Sequence, residues 1–277
     1  MRATFRIQYY TDNVLHIRIG RGAARTMLRM GDGEWQLSLE LSEGDTYRYE
    51  VHTPQGEVVR TESRPHTMES APTTVEVFDR WYDSSDNEPF YSTLFTESVF
   101  RRPTPQKTIS LGQGQILLEV EAAQIRTTEQ VAIVGAHPLL GRWDTRQALT
   151  LNDANAPLWR ITLPREVMGS EYKFVIIDSA THNLICYETG ENRLIPASQS
   201  ECAMVRGLRL RDERNRWRGA GVAIPVFSLR SDKDWGVGEF SDLKAMADWA
   251  AEVGMSIIQV LPVNDTTTSG TWHDCRW

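Results

Sequence analysis

Two stretches of this chain repeat one another, and that repeat constrains the architecture more than any single motif. GEWQLSLELSEGDTYRYEV, beginning at Gly33, matches PLWRITLPREVMGSEYKFVI, beginning at Pro157. Trp35 aligns with Trp159, Tyr47 with Tyr172 and Arg48 with Lys173. Each copy then passes through a turn into a further strand. A unit that recurs within one chain folds as one supersecondary block made twice. The blocks are β in character. Phe5 to Tyr10, Val14 to Ile19, Trp35 to Leu41 and Tyr47 to His52 are rich in β-branched and aromatic residues, and several alternate apolar with polar. Gly31-Asp32-Gly33, Glu43-Gly44-Asp45 and Pro54-Gln55-Gly56 separate them. Short strands at this spacing predict sandwiches of roughly 100 residues each.

The domain plan is therefore a first sandwich over residues 1–82, a linker over 83–112, a second sandwich over 113–210 and a different unit over 219–277. The linker is rich in Pro, Gly and Ser, while Phe95, Val99 and Phe100 predict that part of it packs. In the last unit the grammar changes. GVAIPVFSL reads as a strand buried on both faces. Ser241 is placed to cap a helix carrying Leu243, Met246, Ala247, Ala250 and Val253 on one face, with Gly254 as its stop. SIIQVLPVND is a second apolar strand. Strand, helix, strand at this spacing is a βαβ unit with a parallel pair. One such unit cannot close a sheet, and a full barrel needs about 250 residues, so the chain reads as the N-terminal part of something longer.

Composition narrows the function classes. Lys and Arg total 30 against 37 Asp and Glu, a net charge of −7. That argues against nucleic acid or an anionic membrane as the main partner. No apolar run approaches the roughly 20 residues of a membrane span, and the start MRATFRIQYYTDN lacks an apolar signal region. Cys186, Cys202 and Cys275 lie far apart, without CxxC spacing. They predict neither a disulfide framework nor a metal site, and fit a reducing, cytoplasmic setting.

Chemistry-bearing residues concentrate in the second copy. VAIVGAHPLLGRWD sets Trp143 at the end of a turn after a strand, EYKF sets Lys173 in a strand, and YETGENR gathers Tyr187, Glu188, Asn192 and Arg193 near a turn. Aromatics beside a Lys and an Asn make a sugar platform: a pyranose stacks its C–H face on an indole or phenol, and its hydroxyls bond the polar rim. The bland reading makes Trp143 and Tyr187 ordinary core residues; Trp159, inside an alternating strand, is assigned to the core. Where the second copy has YETGENR, the first has TESRPHT around Glu62 and His66, with no aromatic at the stacking position. The first copy is accordingly read as structural, with His66 a solvated loop residue.

The run VGAHPLLGRWD…LTLN…PLWRITLP…EYKFVI…YETGENR resembles a family 20 carbohydrate-binding module, a starch-binding domain of immunoglobulin-like β-sandwich fold. That resemblance implies a stacking platform for α-glucan built of Trp143 and Tyr187, with Lys173 and Asn192 bonding sugar hydroxyls. The family usually has Trp where this chain has Tyr187, and LNDANAP replaces the tyrosine-bearing loop of its second site. The first copy resembles the same module more weakly. The segment AIPVFSLRSDKDWGVGEFSDLKAMADWAAEVGMSIIQVLPVNDT resembles the start of a 4-α-glucanotransferase of the amylomaltase or disproportionating type, glycoside hydrolase family 77. It implies two starch-binding sandwiches ahead of the first βαβ unit of an incomplete (β/α)8 barrel. It also implies transfer of α-1,4-glucan segments among maltooligosaccharides, starch or glycogen, without metal or organic cofactor. Retention needs two carboxyl groups about 5–5.5 Å apart. No residue here matches the family's pair, so the chain itself is expected to be inactive. Asp265, after VLPVN, stands where a barrel strand meets its loop and reads either as a substrate contact in a complete enzyme or as a turn residue before Thr266. Asp232, Asp234 and Glu239 are read as solvated or capping. The rival reading is a non-catalytic glucan-binding or interaction protein.

Overall fold

The computed structural model describes residues 1–83, 89–92, 95–100, 109–214, 218–232 and 235–263. Asp234, Asp265 and Cys275 lie outside them. The chain is mainly β. It divides into two units, Met1–Asn215 and Arg216–Trp277.

The first repeat supplies β1 (Arg2–Gln8), β2 (Val14–Ile19), β3 (Ala24–Thr26), β4 (Leu28–Gly31), β5 (Glu34–Glu40), β6 (Thr46–His52), β7 (Val58–Thr61), β8 (His66–Thr67) and β9 (Thr74–Asp79). The second supplies β10 (Gln115–Glu121), β11 (Glu129–Gly135), β12 (Leu149–Thr150), β13 (Asn152–Asn155), β14 (Leu158–Pro164), β15 (Glu171–Asp178), β16 (Leu184–Tyr187), β17 (Arg193–Leu194) and β18 (Cys202–Arg209). The copies share one pairing scheme. β1 pairs antiparallel with β5 and parallel with β9, as β10 does with β14 and β18. β2 pairs with β6 as β11 does with β15. The aligned tryptophans are equivalent too: Trp35 faces Ile7 across β1–β5 and Trp159 faces Val120 across β10–β14, and both are buried.

β9 and β18 pair in parallel and fuse the larger sheets of both copies into one eight-stranded sheet, ordered β13-β14-β10-β18-β9-β1-β5-β4. Side chains alternate across a sheet, so the register tells which core each residue serves. Cys202 and Met204, opposite Val75 and Val77, join the first copy's core, as does Leu117 of β10. Ala203 and Val205 turn the other way into the second copy's core, where Phe78 of β9 packs beside them. The two cores therefore lie on opposite faces of one sheet, each built partly from the other copy's strands. The segment between the copies also contributes: Leu111 is buried in the first core, and Phe90, Phe95 and Phe100 pack ring against ring with centroids 5.2–6.1 Å apart.

In the second unit β19 (Gly221–Ile224) pairs in parallel with β20 (Ile257–Val260), and α1 (Asp242–Glu252) runs between them. The apolar run is not buried on both faces as its composition suggests. Pro225 ends β19, a 3-10 turn over Val226–Ser228 follows, and Phe227 is 65% exposed. Among the described residues of this unit, one neighbouring strand and one helix pack with it. Ser241 is not the expected side-chain cap. Its backbone is already helical (φ −61°, ψ −30°) and its side chain makes no cap hydrogen bond; Asp242, the first helical residue, instead ties the helix start to the preceding loop, accepting from the Glu239 amide at 2.8 Å and the Ser231 hydroxyl at 2.7 Å. Gly254 at φ +76° stops the helix, as expected. Among the described residues no helix is long and apolar enough to cross a membrane.

Candidate functional site

The site lies on the outer face of the sheet formed by β12, β11, β15 and β16. Along β15, Tyr172, Phe174 and Ile176 point into the second core, which leaves Glu171, Lys173, Val175 and Ile177 on the other side. Lys173 pairs with Val134 of β11, and Val175 with Tyr187 of β16. Directly opposed residues share a face, so Lys173 and Tyr187 stand on the same surface, and Tyr187 is 42% exposed. The turn after β11 brings in the indole. Leu140 anchors that turn in the core, Gly141, Arg142 and Trp143 take φ +77°, +48° and +66°, and Trp143 packs on the Ala132, Val134, Val175 and Ile177 cluster. Asp144 fixes the exit. Its carboxylate accepts from the Arg146 amide at 3.1 Å, and the Arg146 guanidinium first, then that amide, hold its pKa down at about 2.

Trp143 is thus half-buried, seated on an apolar patch that belongs to the sheet rather than to the main core. The Asn192 amide donates to Glu171 Oε2 at 2.9 Å, which ties it to the end of the β15 row that holds Lys173. Four of the five sequence-derived residues, Trp143, Lys173, Tyr187 and Asn192, therefore gather along one surface. Glu171 was missed by sequence reasoning, although its place two residues before Lys173 in an alternating strand was the available signal.

Glu188 does not join this surface. It is 2% exposed. Its oxygens accept from the Arg193 Nε and Nη2 at 2.8 Å each, from the Phe174 amide at 3.1 Å and from the Arg211 Nε at 3.3 Å. Burial pushes its pKa up, but these donors outweigh it and hold the carboxyl below its ordinary value. The first copy explains the residue. Glu62 there accepts from the Tyr49 amide at 2.9 Å and the Tyr82 amide at 2.8 Å. A buried Glu at the same place in both copies, one without any aromatic platform, is a clamp on the strand backbone.

His66 overturns its expectation. It is 1% exposed, stacked on Tyr82 with centroids 3.7 Å apart and on Tyr47 at 4.8 Å, and Nε2 lies 3.1 Å from Glu62 Oε2. The sequence shows a polar loop there; the interior position follows from the Glu62 clamp drawing the segment inward. The first copy's outer face differs in kind as well. Where the second copy has Lys173, Val175 and Ile177, the aligned residues are Arg48, Glu50 and His52. Glu50 pairs with Arg18, and His52 stacks on His16 at 4.0 Å. Among the described residues that surface is a charged and imidazole-bearing lattice, with no Trp, Tyr or Phe at these aligned positions.

Residues 113–206 match the family model described as a starch binding domain, and residues 224–274 match that of 4-alpha-glucanotransferase. Two consecutive segments of the chain are thus similar to a starch-binding domain and to part of a 4-alpha-glucanotransferase. It is 33% identical over 263 residues to the 4-alpha-glucanotransferase DPE2 of Oryza sativa subsp. japonica, a match covering 87% of this chain and 28% of the rice protein. A 46-residue stretch is 50% identical to the 4-alpha-glucanotransferase of Chlamydia trachomatis serovar D, covering 17% of this chain and 9% of that protein. The chain thus spans well under a third of these relatives. Among solved structures, the family 20 module of the maltotetraose-forming amylase from Pseudomonas saccharophila STB07 is similar at 20% identity over 33% of this chain and 99% of its own, with a TM-score of 0.29. The segment that matches the starch binding domain model contains Trp143, Lys173, Tyr187 and Asn192.

Proposed function

We propose that residues 113–210 bind α-glucan chains, with Trp143 and Tyr187 as the stacking platform and Lys173 and Asn192 bonding sugar hydroxyls. The observation that supports this is the half-buried Trp143, held on an apolar patch of the same sheet face that carries the exposed Tyr187. An indole fixed on one side and open on the other suits the C–H face of a pyranose. Residues 1–82 serve as a degenerate copy of the same immunoglobulin-like sandwich. Residues 219–277 form the first βαβ unit of a (β/α)8 barrel that transfers 1,4-α-glucan segments between maltooligosaccharides, starch or glycogen. In this reading the 277-residue chain binds glucan but does not disproportionate it, acts in the cytoplasm, and Asp265 meets substrate only in the longer enzyme.

The test is titration of the chain with maltoheptaose and β-cyclodextrin beside Trp143→Ala. Saturable binding that the variant weakens by at least about tenfold, roughly 1.4 kcal/mol, supports the platform. Unchanged affinity in a folded variant overturns it, and disproportionation of maltooligosaccharides by the purified chain overturns the inactivity.

A further inference from the structure

The two halves of the first unit flank an open cleft of about 990 Å³ that meets the glucan surface at Asn192 and lies apart from Trp143, Lys173 and Tyr187. One wall is the back of the first copy's strands: Arg6, Gln8, Phe78 and Arg80. The other is the edge of the second copy's smaller sheet, where Asn192, Arg193 and Leu194 stand. The volume falls within the range of small-molecule sites, roughly 300–1,000 Å³.

Its guanidinium groups differ in how they are satisfied. Arg6 pairs with Glu34 at 3.0 Å, and Arg193 and Arg211 both hold Glu188. Arg80, also on the lining, has no hydrogen-bond acceptor or carboxylate partner among the described residues. Its position is built: Gly207, at φ +69° in a bulge of β18, lets the Arg80 backbone approach so closely that a Cβ would stand 2.9 Å from the Arg80 carbonyl oxygen. Although Arg80 remains exposed, desolvation and then the positive charge of Arg193, with Arg211 beside it, pull its pKa down. Three guanidiniums converge there and one lacks a counter-charge, in a chain of net charge −7. Three acidic residues also line the cleft: Glu34 is held by Arg6, Asp79 accepts from the Tyr47 and Tyr49 hydroxyls at 2.7 Å each, and Asp32 stands in the turn before β5.

The geometry points to a binding site for a phosphate monoester of a sugar, its phosphate on Arg80 beside Arg193 and Arg211 and its sugar against Asn192, Gln8 and Leu194. Guanidinium meets phosphate through paired, charge-assisted hydrogen bonds, and the remaining cleft has the amides and apolar surface that a hexose needs. The phosphate half of the proposal stands on the arginines alone; the choice of a sugar as its carrier rests on the glucan-binding reading.

Calorimetric titration of the full chain with glucose 6-phosphate, glucose and inorganic phosphate tests it, beside Arg80→Gln and Trp143→Ala. Glucose 6-phosphate is expected to bind saturably and more tightly than either glucose or phosphate. Arg80→Gln is expected to weaken it at least about tenfold, with an unchanged melting temperature because Arg80 holds no partner. Trp143→Ala is expected to leave it intact. Equal binding of glucose 6-phosphate by Arg80→Gln overturns the proposal, and so does its loss in Trp143→Ala. Phosphate binding as tightly as glucose 6-phosphate overturns the sugar carrier. Chains that bind glucose 6-phosphate but not maltoheptaose would sink the glucan platform while leaving the cleft standing.

Discussion

Replacing Glu188 by Ala separates a fold clamp from a sugar contact. The carboxylate is 2% exposed and meets Arg193 twice at 2.8 Å, the Phe174 amide at 3.1 Å and Arg211 at 3.3 Å. Removing one partner of a buried pair leaves the other charge uncompensated, at a cost of about 3–5 kcal/mol. Arg211 keeps part of its side chain in water and rehydrates, whereas Arg193, with a side chain only 11% exposed, does not. The lower end, about 3 kcal/mol, is therefore expected, against a typical domain stability of roughly 5–15 kcal/mol. Urea unfolding followed by tryptophan fluorescence measures the loss, and maltoheptaose titration without urea measures binding by the folded protein. The expected result is a large fall in stability with unchanged glucan affinity. Glu62→Ala, which removes the equivalent clamp, is expected to destabilise the unit as well. Full stability with abolished glucan binding in Glu188→Ala would refute the clamp.

Leu117→Ala removes a fully buried side chain that the second copy's β10 lends to the first copy's core. It is expected to cost about 2–5 kcal/mol and to lower one shared unfolding transition of residues 1–214; two transitions with only one displaced would contradict the shared core. Gly207→Ala forces a side chain into φ +69° and against the Arg80 carbonyl, at a cost of at least about 1 kcal/mol, read as a fall in melting temperature. Acid should also destabilise the unit. The folded pKa values of Glu188 and Glu119 lie below the ordinary 4.5. Their stabilisation is thus complete above that value and lost as pH falls through the lower folded values. A melting temperature that stays flat from pH 6 to pH 3 would contradict this.

Much of the fold was legible because each half obeys period-two alternation with glycine turns between strands. Val14–Ile19 has the same ends in sequence and structure, and Trp35 to Leu41 and Tyr47 to His52 shift by a single residue. The aligned Trp and Tyr pairs mark equivalent core positions. The fused sheet was not legible in the same way, because pairing between copies is set by which backbone rows meet. A trace exists all the same: VEVFD and CAMVRGLR carry apolar residues on both faces, as strands buried twice do, although Glu76, Asp79 and Arg206 interrupt the pattern. At the site, Trp143 and Tyr187 could be found from their sequence surroundings. Glu188 was misplaced because a Glu beside an aromatic in a turn looks like a ligand until its burial is known. Comparing the two repeats more closely would have exposed it, since Glu62 occupies the same place beside no platform. Arg80 escaped notice because its meaning depends on what it fails to meet in space.

The parallel pairing of β9 with β18 also bears on which sheet borders a duplicated chain leaves open. In a solitary copy that strand would be the last of its sheet, with a row of unpaired amides and carbonyls beside Val75 and Val77 or Cys202 and Met204. Such a border recruits other chains. Duplication supplies the missing neighbour from within the same molecule. The borders that remain on the joined sheet are β4 and β13, four residues each, too short to template much growth. A copy severed from its twin would therefore lose more than a neighbour: it would regain an adhesive margin, and self-association would be the first sign of the cut.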